Sequence, residues 1–302
     1  MRNALLTFTM GLALGCTAAL ADPMVIKHAQ GETALDAPPR KVLVLDVNAL
    51  DIMDALGAEP AGVPGSHLPG YLSKYNSDSY LKAGTLFEPD YEAINAAEPD
   101  LVVVGGRSRA KFGELSEIAP TVDLTANTEP YTDGIKQNIT LLGEIFGKKD
   151  RAAEMIATLD AKLDALKSSA RKAGTALILV TNAGKVGAYG PGSRVGWLHK
   201  EVGFATVEEG IDDRFDGGDV VSFEYILEKD PDWLFVIDRD AGVGNAGHNA
   251  RATLDNDLIA RTRAAKNSHI VYLDPQAAYI ASAGYTSVSK LIDEVQDAVS
   301  KQ

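Results

Sequence analysis

Short, continuous runs of apolar residues alternate along the chain with longer stretches in which apolar positions recur every three or four residues. The runs are rich in β-branched residues and do not alternate with polar ones, which is typical of strands covered on both faces of a sheet. Strands are predicted at residues 41–47, 101–104, 176–180, 233–237 and 270–273. The pattern therefore indicates α/β units built around mostly parallel sheets.

Two helix-like stretches follow one another near the middle of the chain. The first covers Thr132 to Phe146, and the second covers Asp150 to Lys172, where apolar residues lie three and four positions apart. Asp150 is predicted as the N-cap of the second helix, and Gly174 lies just past its end.

One part of the chain is repeated. Residues 92–107 align without a gap on residues 224–239, a shift of 132 residues, and residues 42–48 align on 176–182 at a shift of 134. Two nearly equal shifts predict two lobes of similar design. The predicted division is a leader at 1–21, an N-terminal lobe at 22–140, a linking helical spine at 141–174 and a C-terminal lobe at 175–302.

Each copy of the repeat ends in an arginine just after a predicted strand, Arg107 and Arg239. Ligands of open α/β sheets bind outside the carboxyl ends of the strands, so both arginines are expected in a cleft between the lobes. A third, Arg194, follows the glycine-rich loop 190–193. Three converging guanidinium groups predict an anionic, oxygen-rich ligand, because each presents a planar fork of charged donors. The alternative is that each arginine forms a surface ion pair.

The beginning of the chain has the pattern of a signal peptide. Arg2 precedes an apolar run, and Ala19-Leu20-Ala21 is a small-x-small cleavage site. The only cysteine, Cys16, lies inside this segment, so a chain cleaved after Ala21 contains no thiol. Lipidation of Cys16 is the alternative, although Ala13 stands three residues before the cysteine, where a lipobox usually has a leucine. An exported, soluble protein without a membrane span is predicted.

Charge and motifs exclude several classes of protein. With 42 acidic and 29 basic residues the formal charge is −13, or −14 once Arg2 is removed, and this argues against a nucleic-acid binder. Residues 242–247 match G-x-G-x-x-G, but four residues separate them from the strand, so they are interpreted as a cleft rim. The sequence contains no G-x-S-x-G, no Walker A motif and no pair of histidines at metal-ligand spacing. No catalytic step is predicted.

Several motifs together resemble the periplasmic binding proteins of iron–siderophore ABC transporters, in particular the catecholate-type branch. The likeness runs from about Lys41 to the C-terminus, and its most specific stretches are residues 49–57, 84–90, 99–107, 118–121, 190–194, 221–232 and 272–275. It implies two Rossmann-like lobes joined by a long spine helix, with the ligand cleft between them. The implied protein is a monomer that holds no permanent cofactor and carries ferric iron as a siderophore complex to a membrane permease.

The resemblance also implies ligand-binding residues. Arg107, Arg194 and Arg239 match arginines that contact a ferric tris-catecholate, and Tyr279 matches a tyrosine that can ligate iron directly. Tyr279 as a plain core aromatic is the alternative. The expected aromatic walls of the cup are Tyr189, Phe87 and Trp197.

Two departures from the family pattern put direct iron ligation in doubt. Phe87 stands where relatives often carry a lysine, and the loop 216–219 lacks the histidine that partners the tyrosine in some relatives. His248 is a substitute only if its glycine-rich loop folds over the cleft.

Glu92 and Glu224 resemble the paired glutamates, one per lobe, that dock on the permease. The alternative is that each only stabilises a helix N-terminus.

For the whole protein, a receptor for haem, a corrinoid or another ferric chelate stays open, as do a ligand sensor or adaptor and an exported enzyme.

Overall fold

The N-terminal half of the chain folds around a sheet of five parallel strands, ordered β5-β4-β3-β6-β7. The computed structural model describes residues 23–126, 129–211, 218–245 and 247–301, so the predicted leader lies outside the described residues. A separate hairpin precedes the sheet. In chain order the elements are β1 (Met24–His28), β2 (Gly31–Leu35), β3 (Val42–Val44), α1 (Val47–Leu56), β4 (Gly62–Val63), β5 (Leu81–Lys82), α2 (Tyr91–Ala97), β6 (Leu101–Val104), α3 (Phe112–Ser116) and β7 (Thr121–Asp123).

Two consecutive helices lead from the first sheet to the second, α4 (Tyr131–Ile145) and α5 (Lys149–Ala170). Both agree with the predicted stretches to within two residues. The predicted N-cap, however, is wrong: α5 begins at Lys149, so Asp150 lies in its first turn, where its charge still favours the helix dipole. Leu159, Leu163 and Leu166 form part of the buried face of this spine.

The C-terminal half contains a second sheet, ordered β11-β9-β8-β12-β13, with β10 beside the start of β8. It is mixed rather than parallel, because β9 runs antiparallel to both β8 and β11. The elements are β8 (Thr175–Asn182), β9 (Lys185–Tyr189), β10 (Ala205–Thr206), β11 (Asp219–Val220), α6 (Phe223–Lys229), β12 (Trp233–Asp238), α7 (Arg239–Gly242), α8 (Ala250–Leu254), α9 (Asp257–Ala260), α10 (Arg263–Lys266), β13 (Ile270–Tyr272), α11 (Pro275–Tyr279) and α12 (Tyr285–Val299).

The last helix returns to the N-terminal half. α12 packs against the spine α5 and against α1, so apolar residues of all three helices share one core. The C-terminal half is therefore attached to the N-terminal half twice, through the spine at its beginning and through α12 at its end. The boundaries predicted at residues 140 and 174 stay predictions. No helix among the described residues is long and apolar enough to cross a membrane.

The sequence repeat corresponds to a structural repeat. α2 and α6 begin and end 132 residues apart, and each is followed by a central parallel strand, β6 or β12. The shared Pro-Asp pair has a visible function in both lobes. Asp100 accepts hydrogen bonds from the backbone N–H groups of Arg40 and Lys41, and Asp232 accepts one from Thr175. Each carboxylate thus fixes the start of the neighbouring strand.

The predicted strand at 41–47 is too long. β3 ends at Val44, and Asp46 caps α1 by accepting a hydrogen bond from the N–H of Ala49. The continuous apolar run hid this boundary, because Leu45 and Val47 are as buried as the strand itself. The early end of the strand places Asp46 at the cleft side of the sheet.

Candidate functional site: an arginine cluster around Tyr279

A cavity of about 580 Å³ lies between the two halves of the chain. Its wall from the N-terminal half contains Arg107, at the carboxyl end of β6, and its wall from the C-terminal half contains Arg194. The other lining residues are Asn48, Phe87, Gly106, Arg109, Thr125, Ala126, Glu129, Tyr131, Tyr189, Pro191, Gly192, Ser193, Trp197, Lys200, Glu201, Ile280, Ser282 and Ala283.

The three predicted arginines meet at Tyr279. The guanidinium carbons of Arg107, Arg194 and Arg239 lie 5.6, 5.0 and 5.4 Å from the centre of its ring. Tyr279 is only 8% exposed, and cations at these distances are attracted to the ring face. Three positive charges from three separate chain segments therefore share one aromatic side chain.

Tyr279 also accepts a hydrogen bond from each arginine. Its carbonyl oxygen accepts from Arg107 Nη2 at 2.7 Å and from Arg194 Nη1 at 3.2 Å, while its hydroxyl accepts from Arg239 Nε at 2.9 Å. Arg107 makes a second bond, from Nη1 to the carbonyl of Ile280 at 3.1 Å. Tyr279 is a buried member of the apolar core, as the alternative expects, and it is also the common hydrogen-bonding partner of the three arginines.

Arg239 and Tyr279 adjoin the cavity rather than line it. Arg239 is the first residue of α7, and its Nη1 also donates to Asn182 Oδ1 at the end of β8, 3.1 Å away. Arg107 and Arg194 lie on the cavity side and connect it to Tyr279.

Close packing between two short helices positions Tyr279. A Cβ atom at Gly242 would lie 2.8 Å from the carbonyl oxygen of Pro275 and 3.3 Å from Cβ of Tyr279. Gly242 therefore lets α7 and α11 approach each other, which brings Arg239 and Tyr279 together. This glycine opens the G-x-G-x-x-G match, and its requirement is helix packing rather than contact with a phosphate. Residue 246 of the match lies outside the described residues.

The glycine-rich loop carries Arg194 and is tightly folded. A Cβ atom at Gly196 would collide with the carbonyl group of Pro191. Two of the three predicted aromatic walls are almost completely buried: Trp197 is 1% exposed and Tyr189 is 2% exposed. Within the described part of the chain, Trp197 Nε1 and Ser193 Oγ are buried atoms with no hydrogen-bonding partner.

A buried carboxylate, Asp46 between β3 and α1, lies near Arg107 and the end of β6. Burial raises the pKa of Asp46 above its usual value. The hydrogen bond from the N–H of Ala49 and the charge of Arg107 offset only part of this rise. A Cβ atom at Gly105 would lie 3.1 Å from Cγ of Asp46, and Gly106 has a φ of +48°. The two glycines thus allow the backbone to turn beside the carboxylate.

The remaining predicted residues lie at the rim of the cavity or outside it. Phe87 is 58% exposed at the cavity rim. His248 is exposed and lies beside Gly184 of the β8–β9 turn, not in the cavity lining. Glu92 and Glu224 are exposed in the first turns of α2 and α6, at equivalent positions of the repeat.

A second set of charged residues in the cavity was not predicted from any sequence pattern. Glu201 accepts hydrogen bonds from the backbone N–H of Thr132, at 3.2 Å, and from its hydroxyl. Lys200 forms an ion pair with Glu129 at 2.8 Å. Both pairs connect the helical turn 198–202 with the start of α4. They depend on tertiary packing, because the paired residues lie about 70 positions apart in the chain.

Across residues 23–126, 129–211, 218–245 and 247–301, no group of three or more His, Cys, Asp or Glu side chains is arranged to hold a metal ion. Within this part of the chain the cluster offers a ligand mainly positive charge and hydrogen-bond donors. Such a site is suited to an anion with several oxygen atoms.

Comparison with known proteins agrees with this fold. The family model described as periplasmic binding protein matches residues 42–277. The petrobactin-binding protein YclQ of Bacillus subtilis is 35% identical over 93% of this chain and 89% of its own. The ferric-anguibactin-binding protein FatB of Vibrio anguillarum is 33% identical over 91% and 87%.

Solved structures show the same likeness. The structure of YclQ superposes with a TM-score of 0.88 over 93% of this chain and all of that one, at 34% identity. The catecholate-siderophore binding protein VctP of Vibrio cholerae gives a TM-score of 0.86 over 91% of this chain and all of that one, at 35% identity. The chain belongs to the periplasmic binding protein family, and its two-lobed α/β fold with a helical spine is the one predicted from the sequence. This family binds substrates and does not catalyse reactions.

Proposed function

We propose that this protein captures an anionic ferric siderophore of the catecholate type and delivers it to an ABC permease. The observation that carries the proposal is the convergence of Arg107, Arg194 and Arg239 on Tyr279. Relatives at 35% and 33% identity are named for petrobactin and ferric anguibactin. Ferric tris-catecholate is a trianion, so its charge and oxygen atoms match three guanidinium groups.

The surrounding electrostatics make a local cluster necessary. The whole chain has a formal charge of −13, so at long range it repels an anion. Inside the cleft the dielectric constant is lower than in water, and nearby guanidinium groups dominate. A net-negative protein therefore needs these cations close together to bind a net-negative ligand.

The ligand would replace bonds that the arginines now make to backbone carbonyl groups. Arg107 and Arg194 both donate to the carbonyl of Tyr279, and these neutral acceptors compete poorly with charged catecholate oxygens. Tyr189, Trp197 and Phe87 would supply aromatic contacts. Direct ligation of iron by Tyr279 would require its hydroxyl to give up the bond from Arg239.

Glu92 and Glu224 would orient the loaded protein on the permease. Each lies in the first turn of a helix that the repeat places equivalently in its lobe, so the two lobes present matching acidic sites. A permease built from two similar halves offers two matching basic sites. The protein would act as a monomer in the periplasm, with ferric iron as cargo and no permanent cofactor.

The proposal is tested by titrating the purified protein with ferric catecholate, hydroxamate and citrate complexes, haem and cobalamin, and following tryptophan fluorescence. We expect quenching by the anionic ferric catecholate at nanomolar to micromolar concentration. Binding of haem or cobalamin alone would overturn the siderophore assignment. Arg107→Ala should weaken binding at least tenfold, whereas Arg151→Ala, which removes an exposed arginine of the spine, should leave it unchanged.

Transport is tested separately in cells that depend on this protein for iron. Glu92→Lys and Glu224→Lys should each reduce uptake of the ferric complex and leave its affinity for the purified protein unchanged. Unchanged uptake in the double variant would refute the docking role.

A further inference from the structure

The short segment between α11 and α12 connects the arginine cluster to the N-terminal half. It begins at Tyr279, and its residues Ile280, Ser282 and Ala283 line the cavity. α12 then packs on α1 and on the spine. Any displacement of α12 relative to α1 would therefore move the carbonyl groups to which Arg107 donates.

Two polar side chains of α1 hold this segment. Asn48 Oδ1 accepts a hydrogen bond from the N–H of Ala283 at 2.9 Å. Asp51 accepts from the N–H groups of Thr286 and Ser287, at 2.7 and 3.1 Å. These two donors belong to the first turn of α12, whose own N-cap residue is a glycine without a side chain. A carboxylate from another helix thus satisfies N–H groups that a helix start leaves open.

Asp51 is closely enclosed. It is 0% exposed, and it accepts a third hydrogen bond from the hydroxyl of Tyr71 at 2.6 Å. A Cβ atom at Gly284 would overlap its carboxylate, although the backbone of Gly284, with φ −80° and ψ 158°, is open to any residue. The glycine is therefore required by Asp51 and not by the backbone conformation.

A buried carboxylate is costly unless its oxygens are satisfied, so such a group at this position calls for a reason. Capping alone could be done by a serine or aspartate at position 284 itself, as it is in α6 by Ser222. Capping from α1 instead fixes one helix against another. It also fixes the carbonyl of Tyr279, seven and eight residues before the two capped N–H groups, against Arg107 and Arg194.

We propose that Asp51 is a positioning residue of the ligand site: it anchors the start of α12 to α1 and so holds the Tyr279–Gly284 segment where it orders the arginines. The affinity test of this role rests on the proposed function, because it uses the proposed ligand. Asp51 does not belong to the cavity lining, so it acts through the segment and not by touching the ligand.

The first test is Asp51→Asn, which keeps the shape and removes one acceptor oxygen. We expect its affinity for a ferric catecholate complex to fall about tenfold per folded molecule, with the folded fraction measured by circular dichroism. Tyr71→Phe is the matched control, because it removes the hydrogen bond to Asp51 that does not come from α12. Its affinity should be unchanged. An Asp51→Asn protein that is less stable but binds normally would overturn the proposal.

A second variant covers the case in which Asp51→Asn does not fold. Gly284→Ala adds one methyl group against the carboxylate and should also weaken binding. Gly113→Ala is its control, since a Cβ atom there meets nothing within 4 Å.

A measurement without ligand separates this inference from the proposed function. Amide hydrogen exchange of residues 280–287 should accelerate in Asp51→Asn and in Gly284→Ala, and the guanidinium NMR signals of Arg107 should shift. Unchanged exchange and unchanged signals would refute the positioning role, whatever the ligand is. If exchange changes while the wild-type protein binds no ferric siderophore, the proposed function fails and the positioning role stands.

Discussion

Removing the hydroxyl group of Tyr279 tests whether this residue organises the arginines. In Tyr279→Phe the ring and the carbonyl remain, so Arg107 and Arg194 keep their bonds, whereas Arg239 Nε loses its acceptor at 2.9 Å. A hydrogen bond to a charged group contributes about 1.5–3 kcal/mol. Because the Arg239 side chain is 31% exposed, water replaces part of the loss. We expect a cost of about 1 kcal/mol, or roughly fivefold weaker binding of an anionic ferric chelate.

The decisive measurement is a double-mutant cycle with Arg239→Ala, read by fluorescence titration, since Trp197 lines the cavity. If the hydroxyl acts through Arg239, the double variant should bind no more weakly than Arg239→Ala alone. Tyr131→Phe is the matched control: its hydroxyl lies 3.5 Å from Ser282 Oγ, and its effect should add to that of Arg239→Ala.

Two results would refute the reasoning. Additive effects of Tyr279→Phe and Arg239→Ala would show that the hydroxyl does not act through this arginine. A change in the visible charge-transfer band of the bound ferric complex in Tyr279→Phe would instead assign the hydroxyl to the iron.

Four further predictions concern stability, packing and charge. The N–H groups of Lys41 and Arg40 lower the pKa of Asp100, so its stabilising effect is complete above the unfolded pKa of about 3.9 and is lost as pH falls through the lower folded pKa. Asp100→Asn should therefore flatten the acid side of a Tm-against-pH profile, and parallel profiles would contradict this. Trp233→Ala empties a fully buried site and should lower the free energy of unfolding by about 3–5 kcal/mol in urea titrations. Gly242→Val should weaken ligand binding by separating α7 from α11, and wild-type affinity would contradict this. Raising the ionic strength should speed association of an anionic ligand in stopped-flow experiments, because salt screens the long-range repulsion between the ligand and the net-negative chain.

Much of the fold followed from local patterns in the sequence. The buried strands and the spine helix were predicted because they bury apolar residues at the period of their own secondary structure. The repeat predicted that Arg107 and Arg239 lie at equivalent strand ends, and the structure places both beside Tyr279. Errors occurred where burial did not change at a boundary, as at the end of β3, or where a helix began before the polar residue that was expected to cap it, as at Asp150.

The sequence by itself determined which residues carry positive charge and which ends of the strands they follow. Only the tertiary structure decided that one residue, Tyr279, would accept hydrogen bonds from all three arginines, and that Asp51 would hold the helix start just beyond it. The reason is distance along the chain. Arg107 and Tyr279 are 172 positions apart, and Asp51 and Thr286 are 235 apart, so no local period or motif spacing records their contact. These contacts arise because α12 returns to pack on α1 and the spine, and so brings the end of the chain back to its beginning.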